Sequence, residues 1–460
     1  MKSTIINIKQ LSLVALSAFI LGSCTDKLDV NPTQTISSEQ ALKTEGDINA
    51  TLIGAYDGIQ SAAVYGGDIQ VLNDLTGNSE DIQFTGTFAG LNDAYNALMA
   101  STNTFARDTW VASYNAINRT NNVLANLDKV VSSDANKKKV EGEALFLRAS
   151  LHFELVRLFA KAPGDGDLNT NPGVPLILQP TLVVDESSYV TRATVKAVYD
   201  QVIADLTKAE SLLPSSNSRY ATKWAAAAQL SRAHLMLGNY AEARDAANRV
   251  ITGSGKTLAT DFSGLWFTQI NLGGTPPAEY IFWSEVTTQD GVNDINTFFG
   301  RTIGSIPGTA GRSDCKIKAS HLAKYEAGDT RNYFILSGGF NYTRKHLDRY
   351  GDVPVIRLAE MYLTRAEANQ RLNTTVGATP LADVNRIRAR AKLADLPSVT
   401  LDQILKERYL ELAFEGHNLP DKKRLKQNVG TLAWNSPKLI FPIPQREIDV
   451  NKNLTQNEGY

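Results

Sequence analysis

Apolar positions along this chain recur at three- and four-residue spacing in long blocks, and the blocks come in neighbouring pairs. The strongest lies at 141–160 (EGEALFLRASLHFELVRLFA), where Ala144, Leu147, Leu151, Leu155 and Leu158 form a stripe that Leu145, Phe153 and Phe159 widen. Such width predicts a helix buried on most sides. It stops at Pro163-Gly164, after which Val174-Pro175-Leu176 resumes as an extended segment. Trp110, Tyr114, Ile117, Asn121 and Leu124 predict an amphipathic helix before it. Val195, Val198, Val202 and Leu206 predict one over 192–213, closed by Leu213-Pro214. Residues 223–251 read as a helical hairpin turning at Gly238-Asn239-Tyr240, with Ala241, Ala243 and Ala247 small enough for close helix approach. A comparable pair is expected at 354–372 and 381–391.

In its turn and second helix the 223–251 hairpin resembles half of a tetratricopeptide repeat. The 141–160 and 192–213 helices make a third pair, and 111–127 contributes to a fourth. Long insertions make the periods irregular. The expectation is a mainly α scaffold of about four helical pairs with decorations, not a regular solenoid. Residues 252–350 differ: Gly, Thr, Asn and aromatics are abundant and helical periodicity fades. Loops that long inside a compact protein are usually functional. The stretch 77–93 is likewise Gly-rich and polar, with Phe84 and Phe88 on no helical face.

The front of the chain changes the picture. Lys2 and Lys9 supply a positive start before an apolar run, Leu11 to Leu21, too short to span a bilayer as a mature helix. Leu21-Gly22-Ser23-Cys24 resembles a bacterial lipobox. Residues 1–23 are therefore expected to be a lipoprotein signal peptide, Cys24 the acylated residue, and 24–37 a polar tether. Several acyl chains on one cysteine hold a protein to a membrane where a single chain does not. No second hydrophobic run is long enough for a transmembrane helix, so the lipid is the expected anchor. With the leader removed, Lys+Arg falls from 47 to 45 against 48 Asp+Glu, a net charge of −3. A near-neutral chain has no electrostatic reason to seek nucleic acid. Cys315 is the one remaining cysteine and cannot form an internal disulfide.

Several segments then carry a family resemblance: Pro354 to Ala368 (PVIRLAEMYLTRAEA), Glu407 to Arg424 (ERYLELAFEGHNLPDKKR), Phe441-Pro442-Ile443-Pro444, Glu447-Ile448 and the closing NKNLTQNEGY. Trp110 to Leu124, GEALFLRASLHFELVRLFA and the Arg192-to-Pro214 helix agree with it. The chain resembles the SusD/RagB surface lipoproteins from Cys24 to Tyr460. This implies a helical region over 38–251 and a RagB/SusD region over 252–460, packed as one globular unit with a loop-rich binding face. It also implies an outer-membrane, surface-exposed location and a SusC-like TonB-dependent transporter as partner. Glycan is the implied ligand (peptide in one branch), with no enzyme activity and no cofactor. A tetratricopeptide-like adaptor that binds only protein is the alternative. The sequence departs from the family where Asn418-Leu419-Pro420 precede Asp421, and in an extended segment after 141–160.

The residues themselves offer little catalytic chemistry. His152, His234, His321, His346 and His417 show no metal-ligand spacing, and no Gly-x-Ser-x-Gly elbow occurs. Asp165, Asp167, Asn169 and Asn171 alternate like a calcium loop, but Thr170 stands where that turn needs Gly and Leu176 where it needs Glu; a solvated turn is the better reading. Glu407, Glu411 and Glu415 at i, i+4 spacing need cationic partners, for which Arg386, Arg388, Arg390, Arg357 and Arg365 are candidates. Sugar recognition needs aromatic rings for C–H faces and polar groups for hydroxyls, both in exposed loops. Phe84, Phe88, Trp266 and Trp283 are the aromatic candidates, with Asp81, Asn296, Arg301 and Arg312 as polar partners. Trp110, Trp224 and Trp434 are expected to pack.

Overall fold

The computed structural model describes residues 42–266, 276–289 and 292–460. The leader, Cys24 and the whole 24–37 tether lie outside them. Helix starts follow local capping chemistry. Thr44 and Asp47 form a capping box for α1 (Glu45–Gln60), and Gly67 precedes α2 (Asp68–Gly77). Strand β1 (Ile82–Phe84) and α3 (Ala89–Tyr95) come from the Gly-rich stretch. Asn103 caps α4 (Thr104–Ala125), Ser133 caps α5 (Asp134–Phe159) and Thr194 caps α6 (Val195–Leu212). Thr222 starts α7 (Lys223–Leu237), which ends on Gly238 at φ 75° before α8 (Tyr240–Gly253).

Residues 252–350 fold into β2 (Tyr280–Ser284), α9 (Asp294–Phe299), β3 (Cys315–Ile317), α10 (Ala319–Leu322), β4 (Phe334–Ser337) and β5 (Phe340–Thr343). Strand β6 (Val353–Arg357) leads into α11 (Leu358–Leu372). The chain closes with α12 (Pro380–Arg390), α13 (Leu401–Glu411), α14 (Asn418–Arg424) and α15 (Gln445–Val450).

Each long helix packs on the next in the series α1, α4, α5, α6, α7, α8, α11, α12, giving four helical pairs. This is the tetratricopeptide-like scaffold expected from periodicity. Small residues let α7 and α8 close: Ala243 is fully buried, and Ser231 Oγ donates to its carbonyl at 2.9 Å. Helix α5 is the central post, with Leu147, Leu151, Phe153, Leu155 and Phe159 all at 0 % exposure. Each such side chain contributes about 1.5–3 kcal/mol of burial free energy. Residues 174–181 run extended along α4, and side chains satisfy their carbonyls. Tyr114 Oη donates to Pro175 O at 2.7 Å and Asn121 Nδ2 to Ile177 O at 3.0 Å.

Two expectations need correction. Residues 353–357 are a strand rather than the start of a helix, because they pair antiparallel with β2. Glu415 does not share a helix with Glu407 and Glu411: α13 ends at Glu411, and Phe414 (φ 64°) and Gly416 (φ 81°) turn the chain into α14.

The glutamates nonetheless meet cations in a buried network. Arg357 bonds Glu279, Glu411 and Glu415; Arg390 bonds Glu279 and Glu411; Arg388 and Arg331 bond Glu407. Burial alone would raise the Glu415 carboxyl, but the charges of Arg357 and Lys345 outweigh it and pull it down to about 2. Of the other proposed partners, Arg365 pairs with Asp383, and Arg386 lies over the Tyr362 ring.

Candidate functional site

The second sheet sets the candidate face. Its order is β1-β3-β5-β4, all neighbours antiparallel, with Gln83 opposite Lys316, Ile317 opposite Asn341 and Ile335 opposite Tyr342. Because side chains alternate, Gln83, Lys316, Phe340 and Tyr342 share one face. Gln83 and Phe340 are exposed, and Lys316 Nζ sits 3.8 Å from the Phe340 ring centroid.

A loop from 300 to 313 extends this face. Asn296, 1 % exposed, donates from Nδ2 to His346 O at 2.7 Å and Ala310 O at 3.3 Å, tying the loop to α9. Arg312 N donates to Thr297 O and Ser313 N to Gly300 O, and Arg301 and Arg312 pair as a β-bridge. Arg301 then lies over Tyr342 (4.8 Å to the centroid) and Arg312 over Phe88 (4.8 Å).

Beyond Phe88 lies an open groove of about 590 Å³ whose lining includes Phe88, Phe105, Asp68, Asp108, Asn115 and Asp294. Phe88, 41 % exposed, meets the buried Phe298 edge-on at 5.5 Å and Phe105 at 6.0 Å. At the base α2 and α9 abut: Asp294 N donates to Gly66 O at 2.8 Å, and a Cβ on Gly67 would meet Ile295 N at 2.2 Å. Burial, reinforced by the neighbouring Asp294 carboxylate, raises the Asp68 carboxyl well above its usual range. Asp68 Oδ1 has no hydrogen-bond partner although it is buried. Rings beside carboxyl groups match the two faces of a pyranose.

The sequence candidates divide. Phe88, Arg301 and Arg312 come together on this face. Asp81 does not reach it: 1 % exposed, it accepts from His321 Nδ1 at 3.0 Å, Lys324 Nζ at 2.5 Å and Tyr409 Oη. Those hydrogen bonds outweigh the effect of burial and hold its carboxyl well below the usual range. Phe84 is 6 % exposed against Tyr95, and Asn296 positions the loop from inside.

Trp266 is a core residue at 4 % exposure, packed with Phe262 and Tyr280 under Lys345 and Arg357. An indole so enclosed offers no face to a sugar. Trp283 is half-buried on β2 against the same cluster. Trp110 packs as expected, whereas Trp224 is half-buried in a groove of about 490 Å³ with Arg249 and Glu210. At 165–171, Asp167 accepts from Asn169 N at 2.9 Å and Asn169 Nδ2 at 2.7 Å, while Asn171 Nδ2 donates to Asp165 O at 2.7 Å; the side chains serve their own turn.

Sequence reasoning missed Asp68, Phe105, Asp108, Asn115 and Asp294, which sit on helices or at helix starts and read as ordinary helix chemistry. It also missed Lys316. Its signal was the alternation Cys315-Lys316-Ile317, buried–open–buried, too short to distinguish from a loop.

Comparison with known proteins agrees with this architecture. Residues 26–235 match the family described as "Starch-binding associating with outer membrane", and residues 317–438 match the SusD family. SusD-like protein P2 of Formosa agariphila is 24 % identical over 98 % of this chain and 99 % of that protein. A SusD superfamily protein from Bacteroides thetaiotaomicron superposes with a TM-score of 0.78 at 24 % identity, covering 90 % of this chain and 99 % of that one. A laminarin-binding SusD-like protein superposes at 0.73 with 23 % identity, covering 91 % and 100 %. With both family regions matched in chain order on a scaffold of four helical pairs, the chain belongs to the SusD/RagB family.

Proposed function

We propose that this protein is a glycan-capturing lipoprotein of the outer-membrane surface that passes its ligand to a SusC-like TonB-dependent transporter. The observation that carries the binding reading is the Phe88–Phe105 groove, whose lining combines an exposed and a half-buried ring with carboxyl groups. The family's starch-binding description and the laminarin-binding neighbour support a carbohydrate ligand. The leader, the lipobox-like Cys24 and the family's outer-membrane association support the location. Among the described residues no helix is long and apolar enough to cross a membrane, consistent with lipid as the anchor.

On this reading the protein binds its ligand without acting on it. Rings cover the C–H faces of successive sugars while Asp and Asn side chains accept or donate at the rim. Single contacts of this kind are modest, so affinity rises with chain length as further sugars engage the same face. The transporter then competes for a ligand that is held loosely.

Calorimetry of the full chain against soluble polysaccharides and peptides tests this reading. One glycan class binding, with at least tenfold loss in Phe88→Ala, is the expected result. Binding of peptides alone would replace glycan by peptide as the cargo. Loss of membrane fractionation in Cys24→Ala is expected if the lipid is the anchor.

A further inference from the structure

We infer that the glycan recognised here is anionic, its carboxylate or sulfate groups seated along the Arg301–Lys316 edge of the sheet face. The inference rests on the glycan reading above and specifies its substrate class. Along this face two exposed rings and one buried ring are each topped by a cation: Phe88 by Arg312, Phe340 by Lys316 and the buried Tyr342 by Arg301. The three cations differ in what answers their charge. Arg312 Nε donates to Asp314 at 2.9 Å. Arg301 is half-buried, yet among the described residues its guanidinium hydrogen-bonds neutral oxygens alone: Ser337 Oγ at 2.9 Å, Ser313 Oγ at 3.2 Å and Tyr342 Oη at 3.3 Å. Among the described residues no carboxylate lies within ion-pair distance of Arg301 or Lys316.

This differs from Arg357, Arg390 and Arg331, each of which has carboxylate partners. A half-buried guanidinium held by hydroxyls keeps part of its fork for an incoming anion, and Arg is suited to planar carboxylate or sulfate oxygens. The hydroxyl contacts fix its orientation beforehand. Register places Lys316 across the strand pair from Tyr342, with its Nζ over Phe340, two residues along β5 from the ring that Arg301 covers. The acidic groove beyond Phe88 gives the face a polarity. Charged substituents belong at the Arg301–Lys316 end, and uncharged hydroxyls at the Asp68–Asp294 end. The chain's near-neutral charge means that general attraction to polyanions is weak, so charge-dependent binding would report this local edge.

Binding isotherms of the full chain test the inference with alginate and polygalacturonate (carboxylate), dextran sulfate (sulfate), and laminarin and dextran (neutral). An anionic polymer is expected to bind at least tenfold more tightly than either neutral one, with affinity falling as salt rises. Arg301→Gln with Lys316→Gln should lower that binding at least tenfold, while Lys138→Gln on the scaffold leaves it unchanged. Whether the alginate or the dextran sulfate arm responds identifies the anion. Equal loss in Lys138→Gln would mean general charge attraction and would overturn the site. Tight binding of a neutral glycan with no anionic preference would overturn the inference and leave glycan capture standing. Peptide binding alone would overturn both.

Discussion

Arg357 in the scaffold and Arg301 on the sheet face have their charges answered in opposite ways. Inside the scaffold Arg357 is 2 % exposed and meets three carboxylates; on the sheet face Arg301 is half-buried and meets three hydroxyls. Aromatic rings divide the same way. Trp266 is sealed in a core cluster, while Phe88 and Phe340 stand open under cations. A charge closed by its own chain is architecture, whereas a charge oriented but unanswered leaves capacity for a ligand.

The sharpest way to break this contrast is to remove one cation from each region. Arg357→Ala is expected to cost about 3–5 kcal/mol of stability in urea denaturation, because Glu279, Glu411 and Glu415 are left buried without their shared partner. Arg301→Ala should cost under about 1 kcal/mol, as a change outside the core. Equal costs would erase the distinction.

The aromatic pair makes the same comparison. Trp266→Ala should cost about 3–5 kcal/mol. Phe88→Ala should leave the thermal midpoint within a few degrees of the wild type and act on glycan binding instead. Binding lost in a stably folded Trp266→Ala protein would move the site to the β2 cluster.

A third test uses pH. Burial raises the Asp74 carboxyl from 3.8 to about 7, with the Gly416 and Asn418 amides opposing the shift. A carboxyl whose folded pKa lies above its unfolded one stabilises fully below the unfolded value. That contribution is lost as pH rises through the folded value. Wild-type stability relative to Asp74→Asn should therefore fall between about pH 4 and 7 and level off above. A flat difference across that window would mean that Asp74 titrates normally.

The smallest expected effect is at the 165–171 turn. Asp167→Ala should change stability by no more than about 0.5 kcal/mol, and added calcium should not move the melting temperature. A calcium-dependent rise abolished by Asp167→Ala would restore the calcium-loop reading.

Much of the scaffold was legible because helical burial writes itself as a local period. The stripe from Ala144 to Leu158 gave α5, and Gly238-Asn239-Tyr240 gave the α7–α8 turn. The errors fell where tertiary pairing overrides local pattern. Val353–Arg357 is as apolar as a helix start, but its partner β2 lies about seventy residues earlier. Glu415 keeps helical spacing from Glu411 although the helix has ended, and it reaches Arg357 from a turn. The candidate face was less legible still. It joins residues 82–84, 301–317 and 334–343 through strands of three or four residues, too short to show alternation. Phe88 and Arg312 could be named as residue types suited to sugars. That they would meet could not, because no spacing links positions so far apart in the chain.

The most direct test of the account is a crystal structure of the full chain soaked with the polysaccharide that binds best in calorimetry. The account expects sugar density along Phe88, Arg301 and Phe340, with a ring stacked on Phe88. Density confined to the Trp224 groove, or to the Trp266–Trp283 cluster, would contradict it.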